Sequence, residues 1–302
     1  MGIGGAGGYL GGKLAKRYFN SADVEIIFIC RGDHAKVIKQ DGLKLITPEG
    51  ERMVHPHLIS TDPEEIGTID LLICCTKSYN LEESISSLRD CIGHDTYILP
   101  ILNGVDSTSR IKAIVPDSKV LNGCMYIVSE RIRPGVIKKS SAIARVLFGM
   151  DSETDPDLIK IESMLKDAGI DITLTADILN SLWSKFTFIS PVATMTSFLN
   201  MPIGEILENE THKNTLTELM KEVILVSRSQ NIELPDDIID RSLAVASGLP
   251  YQTTSSMQKD FVNNRETELE TITGYIAAEG EKSGLPIPNY KRIYSELKNM
   301  TQ

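Results

Sequence analysis

A single lysine stands in an apolar, aromatic run, Leu182-Trp183-Ser184-Lys185-Phe186-Thr187-Phe188-Ile189. On a helix Trp183 and Phe186 lie one turn apart and Phe186 lies near Ile189, so most of the segment is buried. An ammonium in such a place is costly unless it is paired or used. Desolvation lowers its pKa from about 10.4 toward the range suited to proton donation. The same segment also allows Lys185 to run along the apolar surface and keep its head in water. The other candidate for acid–base work is Glu268, in Arg265-Glu266-Thr267-Glu268-Leu269-Glu270. Leu269, Ile272 and Ile276 form an apolar stripe beside it, but spacing alone does not say which of the three glutamates turns inward.

A second kind of chemistry is written at the start of the chain. In Gly2-Ile3-Gly4-Gly5-Ala6-Gly7-Gly8 the glycines at 2, 4 and 7 have the G-x-G-x-x-G spacing of a dinucleotide turn. The first makes the bend, the second lets a pyrophosphate approach the backbone, and the third lets the following helix pack closely. Helix formers follow from Lys13 to Tyr18, so the free N–H groups of Gly5, Ala6 and Gly7 and a positive dipole end face the ligand. The spacing is weak evidence alone, since glycine-rich turns also occur in plain loops. The next apolar run, Val24 to Cys30, reads as a strand and ends at Arg31. An acidic residue there would suit the ribose of NAD, whereas an arginine suits the 2′-phosphate of NADP. A strand is also expected before the glycines, and only Met1 precedes them, so the expectation is either a first strand upstream of this numbering or an incomplete reading of the gene.

The elements that must carry these residues follow an α/β pattern. Short apolar runs alternate with helical stretches through the first half, the signature of a parallel sheet. Asp70 to Thr76 and Tyr97 to Leu102 are nearly all apolar, as in strands covered on both faces. They end at Lys77 and Asn103. Ligands of open α/β sheets lie outside the carboxyl ends of the strands, which puts Arg31, Lys77 and Asn103 on one rim. Further strands are predicted at Gly42–Ile46, Val54–Ile59, Val120–Glu130, Gly135–Gly149 and Asp171–Leu174, with Pro134-Gly135 as a turn. Helices are predicted at Asp33–Gln40, Asn80–Cys91 and Asp155–Ala168. From Leu179 helices take over, at Ser181–Ala193, Gly204–Gln230, Asp236–Ser247, Gln252–Gly280 and Tyr290–Met300. The expected architecture is a Rossmann-type doubly wound domain, residues 1–178, followed by an all-helical domain, residues 179–302, with the cleft between them as the default site.

Composition narrows the classes. The chain has 302 residues, enough for two ordinary cores, and a net charge of −10, which argues against a nucleic-acid partner. No apolar run approaches the length of a membrane span. Five cysteines without C-x-x-C spacing read as small buried hydrophobes of a reducing compartment. His55 and His57 flank Pro56 in a polar loop, so no metal site is expected. The cytoplasm is the expected compartment.

The ordered set of motifs resembles the ketopantoate reductases (2-dehydropantoate 2-reductases). It comprises the glycine turn, Arg31, Thr76-Lys77, Leu102-Asn103-Gly104-Val105, Pro134-Gly135-Val136-Ile137, Leu182-Trp183-Ser184-Lys185, Ser255-Ser256-Met257 with Asp260, Arg265-Glu266-Thr267-Glu268 and Gly284 to Asn289. The resemblance covers all of the chain but the first strand. It implies a two-domain fold like that of 6-phosphogluconate dehydrogenase, NADP(H) as cofactor and ketopantoate, a small 2-keto acid, as substrate, on the way to pantothenate and coenzyme A. It further implies Lys185 as proton donor to the ketone oxygen, Asn103 and Glu268 as its partners and as substrate ligands, Ser256 near the substrate carboxylate, and Lys77 on the nucleotide side. Members occur as monomers and dimers, so a homodimer stays open. One departure stands out. Asparagines follow the lysine one and two turns later in the family, where this chain has Ile189 and Ala193, which cannot hydrogen-bond a substrate hydroxyl. Two alternatives therefore accompany the reading: the same fold reducing a different 2-keto acid, and a dinucleotide-binding regulator without turnover.

Overall fold

Turn chemistry and buried apolar runs set the order of the first half. The computed structural model describes residues 1–150 and 155–300. The glycine turn feeds α1 (Gly5–Tyr18), and only the centre of the next apolar run pairs, as β1 (Ile27–Phe28). Then come α2 (Gly32–Asp41), β2 (Leu43–Thr47), β3 (Gly50–Val54), β4 (Leu58–Ile59) and α3 (Pro63–Ile66). The predicted strand Val54–Ile59 is thus cut at His55-Pro56, where proline offers no N–H to a ladder. β5 (Leu71–Cys74), α4 (Leu81–Ser86), β6 (Tyr97–Pro100), α5 (Ser107–Ile114), β7 (Lys119–Val120), β8 (Asn122–Arg133), β9 (Val136–Gly149), α6 (Pro156–Asp167) and β10 (Asp171–Leu174) complete the series. The predicted helix Asn80–Cys91 contracts to α4 between two 3₁₀ turns.

Strands β5, β6 and β7 pair in parallel, as do β1 and β4. The remaining five form a mixed sheet in the order β10-β9-β2-β3, with β8 on β9. Both of its hairpins, β2–β3 and β8–β9, are antiparallel. Pro134-Gly135 makes the second turn, with Gly135 at φ 74°. Between β1 and β5 the chain's first residues bridge two strand edges: the Met1 amine donates to Ile73 O, Cys75 N to Met1 O and Gly2 N to Ile29 O. Behind them lies a cavity of about 420 Å³, lined by Ile27, Ile29, Leu71, Ile73, Leu10 and Leu14 among others. Two strand backbones face each other across it.

The chain divides into two compact units, Met1–Leu102 with Asp106–Ile178, and Asn103–Val105 with Leu179–Gln302. The second is helical: α7 (Ile178–Leu199), α8 (Ile203–Glu208), α9 (Glu210–Ser229), α10 (Ile238–Ser247), α11 (Ser256–Val262), α12 (Tyr275–Lys282) and α13 (Pro288–Asn299). The predicted helix Gly204–Gln230 breaks at Asn209, whose side chain caps α9 by accepting from His212 N. The predicted helix Gln252–Gly280 breaks after α11, where Asn264 takes φ 48°, and resumes through a π turn, Glu270–Gly274, into α12. The core of this unit joins Trp183 and Phe186 of α7 with Leu219, Val223, Ile272, Ile276, Tyr290 and Ile293. Several polar groups inside it are paired, while Ser197 Oγ and Gln258 Oε1 are buried without a hydrogen-bond partner among the described residues. Ser190 Oγ donates to Ile272 O at 2.7 Å and lies 2.6 Å from the Tyr290 hydroxyl, and Thr194 lies 2.8 Å from Thr273. Buried Glu222 accepts from Asn289 N, Asn289 Nδ2 and Tyr290 N at the positive end of α13.

Candidate active site and dinucleotide turn

In the first unit the glycine turn has the shape its spacing requires. Gly2 sits at φ 78°, and a Cβ there would lie 2.7 Å from the backbone of Cys75. A Cβ on Gly7 would lie 2.1 Å from Gly2 O, so the third glycine holds helix and strand together. Gly4 differs. A Cβ there would meet nothing within 4 Å, so its face of the turn is open to a ligand. Gly4 is also the N-cap of α1, with no side chain capping the first N–H groups and no acidic residue in the first turn. An uncapped 14-residue helix behind an open glycine fits the pyrophosphate of a dinucleotide.

Arg31 follows β1 as the N-cap residue of α2. It is exposed and pairs with Glu83 at 3.3 Å, both side chains well solvated, so the pair is weak. Lys77 follows β5 at the entry to a 3₁₀ turn and is half-buried. Gly5 and Ala6 form the start of α1, and a Cβ on Gly5 would strike Ser129 O. Cys74, Cys91 and Cys124 are buried and Cys30 and Cys75 half-buried; burial pushes the Cys30 thiol up to about 11, which keeps it an inert hydrophobe. Among the described residues no cluster of His, Cys, Asp and Glu could hold a metal ion, and no helix is long and apolar enough to cross a membrane.

In the second unit the structure joins residues that lie 82 positions apart. Lys185 Nζ donates to Asn103 Oδ1 at 3.2 Å. The geometry comes from two local features. α7 carries Lys185 half-buried between the buried Trp183 and Phe186, and Gly104 at φ 103° lets the chain bend directly after Asn103. Asn103 accepts one of the ammonium's three N–H bonds and fixes the direction of the others. Glu268 is buried, at 6% exposure, and its carbonyl accepts from Ile272 N at the entrance to the π turn. Glu266 and Glu270 are exposed. The structure therefore selects Glu268 from the three glutamates. π turns recur at functional positions because the extra residue re-aims the side chains around it.

Ser256 occupies the first turn of α11 with its side chain exposed. Its neighbour Ser255 is tied down, capping α11 through Gln258 N and accepting from Thr196 Oγ1 at 2.8 Å. Ile189 and Ala193 follow Lys185 by one and two helical turns, half-buried and buried. Sequence reasoning did not single out His34, which is buried and bonded to the glycine turn. A lone histidine in a short helix gives no signal by spacing.

Residues 1–152 match the family described as ketopantoate reductase PanE/ApbA, and residues 177–301 match that family's C-terminal domain. The uncharacterized oxidoreductase YkpB of Bacillus subtilis (strain 168) is 27% identical over 298 residues, 98% of this chain and 96% of that protein. The crystal structure of 2-dehydropantoate 2-reductase from Porphyromonas gingivalis W83 has a TM-score of 0.86 at 33% identity, covering 98% of this chain and 96% of the other. The ternary structure of D-mandelate dehydrogenase with NADH and anilino(oxo)acetate has a TM-score of 0.88 at 21% identity, covering 99% and 96%, which is a likeness of fold.

Proposed function

We propose that this chain, which belongs to the ketopantoate reductase family, reduces the C2 carbonyl of ketopantoate to the hydroxyl of pantoate with NADPH, for pantothenate and coenzyme A synthesis. As an oxidoreductase acting on a CH–OH group it shares the chemistry of its family. The observation that carries the reading is the Lys185–Asn103 hydrogen bond, which presents an ammonium from an otherwise uncharged helix.

Hydride chemistry is supplied by the bound nicotinamide dinucleotide. The glycine turn and α1 hold its pyrophosphate, Arg31 takes the 2′-phosphate, and Lys77 serves the nucleotide side. As the carbonyl carbon is reduced, negative charge grows on its oxygen. Lys185 stabilises that charge and gives up the proton, with Asn103 orienting Nζ. Glu268, a carboxylate of the same unit, balances the ammonium and binds substrate, and Ser256 meets the substrate carboxylate.

The test is NADPH oxidation by the purified protein with ketopantoate, run beside NADH and a series of smaller and bulkier 2-keto acids. Turnover with NADPH and ketopantoate above all others is the expected result. NADPH binding without oxidation on any 2-keto acid overturns it in favour of a regulator. A second reading is favoured by Ile189 and Ala193: the same chemistry on a 2-keto acid whose side chain carries no hydroxyl. Turnover confined to such acids selects it.

A further inference from the structure

His34 is 4% exposed, and both of its ring nitrogens are engaged by backbone. Gly135 N donates to Nδ1 at 2.9 Å, so Nδ1 is an acceptor and carries no hydrogen. The hydrogen is therefore on Nε2, which donates to Ile3 O at 2.7 Å. The ring is neutral and held in one tautomer by two carbonyl-and-amide contacts far apart in sequence. Each contact lies at a turn. Ile3 is the residue between Gly2 and Gly4 of the dinucleotide turn, and Gly135 is the positive-φ residue of the β8–β9 hairpin. His34 itself lies in the first turn of α2, whose N-cap is Arg31. One imidazole thus connects the backbone that faces a pyrophosphate, the helix end that carries the arginine, and the hairpin turn beside them.

We propose that His34 is a positioning residue of the dinucleotide site: in its neutral form it holds the Gly2–Gly4 turn in register with the Arg31 end of α2, and protonation releases that hold. An imidazolium carries hydrogens on both nitrogens, so Nδ1–H would oppose Gly135 N–H, donor against donor. The surroundings keep the ring neutral. Burial pushes the His34 pKa down and the positive charge of Arg131 on β8 does the same, while the Ile3 carbonyl acts the other way. On the elements around it, Asp33 pairs with Lys36 of its own helix and Lys44 of β2 pairs with Glu51. A histidine whose folded pKa is lowered contributes fully above about pH 6.5, and the contribution is lost as pH falls below that value. Dinucleotide affinity is a property of the folded protein, so it falls only as pH drops through the lowered folded pKa, below about 6.5. This proposal rests on the dinucleotide-binding part of the function proposed above.

The experiment titrates NADPH into wild type, His34→Gln and His34→Leu from pH 8 to pH 5.5 by fluorescence, with a thermal midpoint at each pH. Gln can keep the donor to Ile3 and cannot titrate. At pH 8, His34→Leu, which removes both ring hydrogen bonds, is expected to bind NADPH about tenfold more weakly through loss of the one to Ile3 O, with a larger change in the KM for NADPH than in kcat. His34→Gln is expected to bind nearly as wild type at pH 8 and to weaken less as pH falls. The 2′-phosphate of NADPH ionises near pH 6 itself, so the difference between the two profiles is the readout. Superimposable profiles, or a His34→Leu protein that loses thermal stability but binds NADPH normally, overturn the proposal. ¹⁵N spectra of the His34 ring give an independent check: the Nε2–H tautomer is expected at pH 7.5, and an Nδ1–H tautomer overturns it. Failure of wild type to bind either NADPH or NADH sinks the dinucleotide reading and this proposal together, an outcome distinct from binding that ignores His34.

Discussion

The glycine turn of the first unit and helix α7 of the second achieve selectivity by opposite means. At the turn, recognition is done by backbone. Gly2 and Gly7 leave no room for a Cβ, Gly4 leaves open space, and the first N–H groups of α1 have no side-chain cap and suit an anionic ligand. On α7 the proposed chemistry falls to one charged side chain, which donates to an acceptor 82 residues away. A backbone site constrains residue type at every position, because only glycine satisfies it. A side-chain site constrains one position and leaves its neighbours to packing. Substitution should therefore separate binding from chemistry cleanly between the two regions.

The largest effect is expected on α7. Lys185→Ala removes the proton donor and should lower kcat by about 10²- to 10⁴-fold while leaving the Kd for NADPH within a few-fold. Steady-state kinetics with a direct NADPH titration checks both halves, and a loss of only a few-fold would remove Lys185 from the chemistry. At the turn the pattern should invert. Gly4→Ala adds a methyl that meets nothing in the protein, and Gly4 has φ −85°, which alanine accepts. Its thermal midpoint should equal that of wild type while NADPH affinity drops about 10- to 100-fold, the cost of one methyl group between backbone and pyrophosphate. Gly7→Ala puts its methyl 2.1 Å from Gly2 O and should lose stability as well as affinity. Equal behaviour of the two alanine variants would show that Gly4 does not face the ligand.

The same contrast explains what was legible in advance. The turn could be read from three glycines because each has a steric reason that is local in sequence. The hairpin turn at Pro134-Gly135 was legible for a similar reason, since Gly135 needs a positive φ. Lys185 was legible as a misplaced residue type. Which glutamate turns inward was not, because the phase of a helical wheel drawn through Glu266 to Ile276 assumes 3.6 residues per turn. The π turn at Glu270–Gly274 breaks that phase, and Asn264 at φ 48° stops the helix before it. The antiparallel pairing of β8 and β9 follows from the tight turn at Pro134-Gly135, whereas the parallel pairing of β9 with β2 and β10 was hidden, because a buried apolar run does not name its neighbour. His34 was invisible because its partners, Ile3 O and Gly135 N, are backbone atoms that any residue would supply.

Arg31 lies between the two extremes, a side chain acting at the rim of a backbone site. Its pair with Glu83 is exposed, so removing it should leave stability within about 0.5 kcal/mol. Arg31→Ser should weaken NADPH about tenfold through loss of a charge-assisted contact to the 2′-phosphate and leave NADH untouched. Equal weakening of both dinucleotides would mean that Arg31 reads something other than the 2′-phosphate.

The smallest expected effect tests the side-chain site where it is least constrained. Ile189 follows Lys185 by one turn, is half-buried, and packs at the margin of the helical core rather than in it. Substitution to asparagine should therefore be tolerated, at a cost of about 1 kcal/mol or less in stability. If the face shared by Lys185 and Ile189 lines the substrate site, Ile189→Asn gives a hydroxyl-bearing 2-keto acid a new hydrogen-bond partner and takes apolar contact from one that lacks the hydroxyl. The ratio of kcat/KM for ketopantoate to that for its deoxy analogue, 3,3-dimethyl-2-oxobutanoate, should then rise several-fold. Because the ratio cancels any loss of folded protein or weakening of NADPH, it isolates substrate discrimination. An unchanged ratio would place Ile189 outside the substrate site and leave its replacement of asparagine without consequence for specificity.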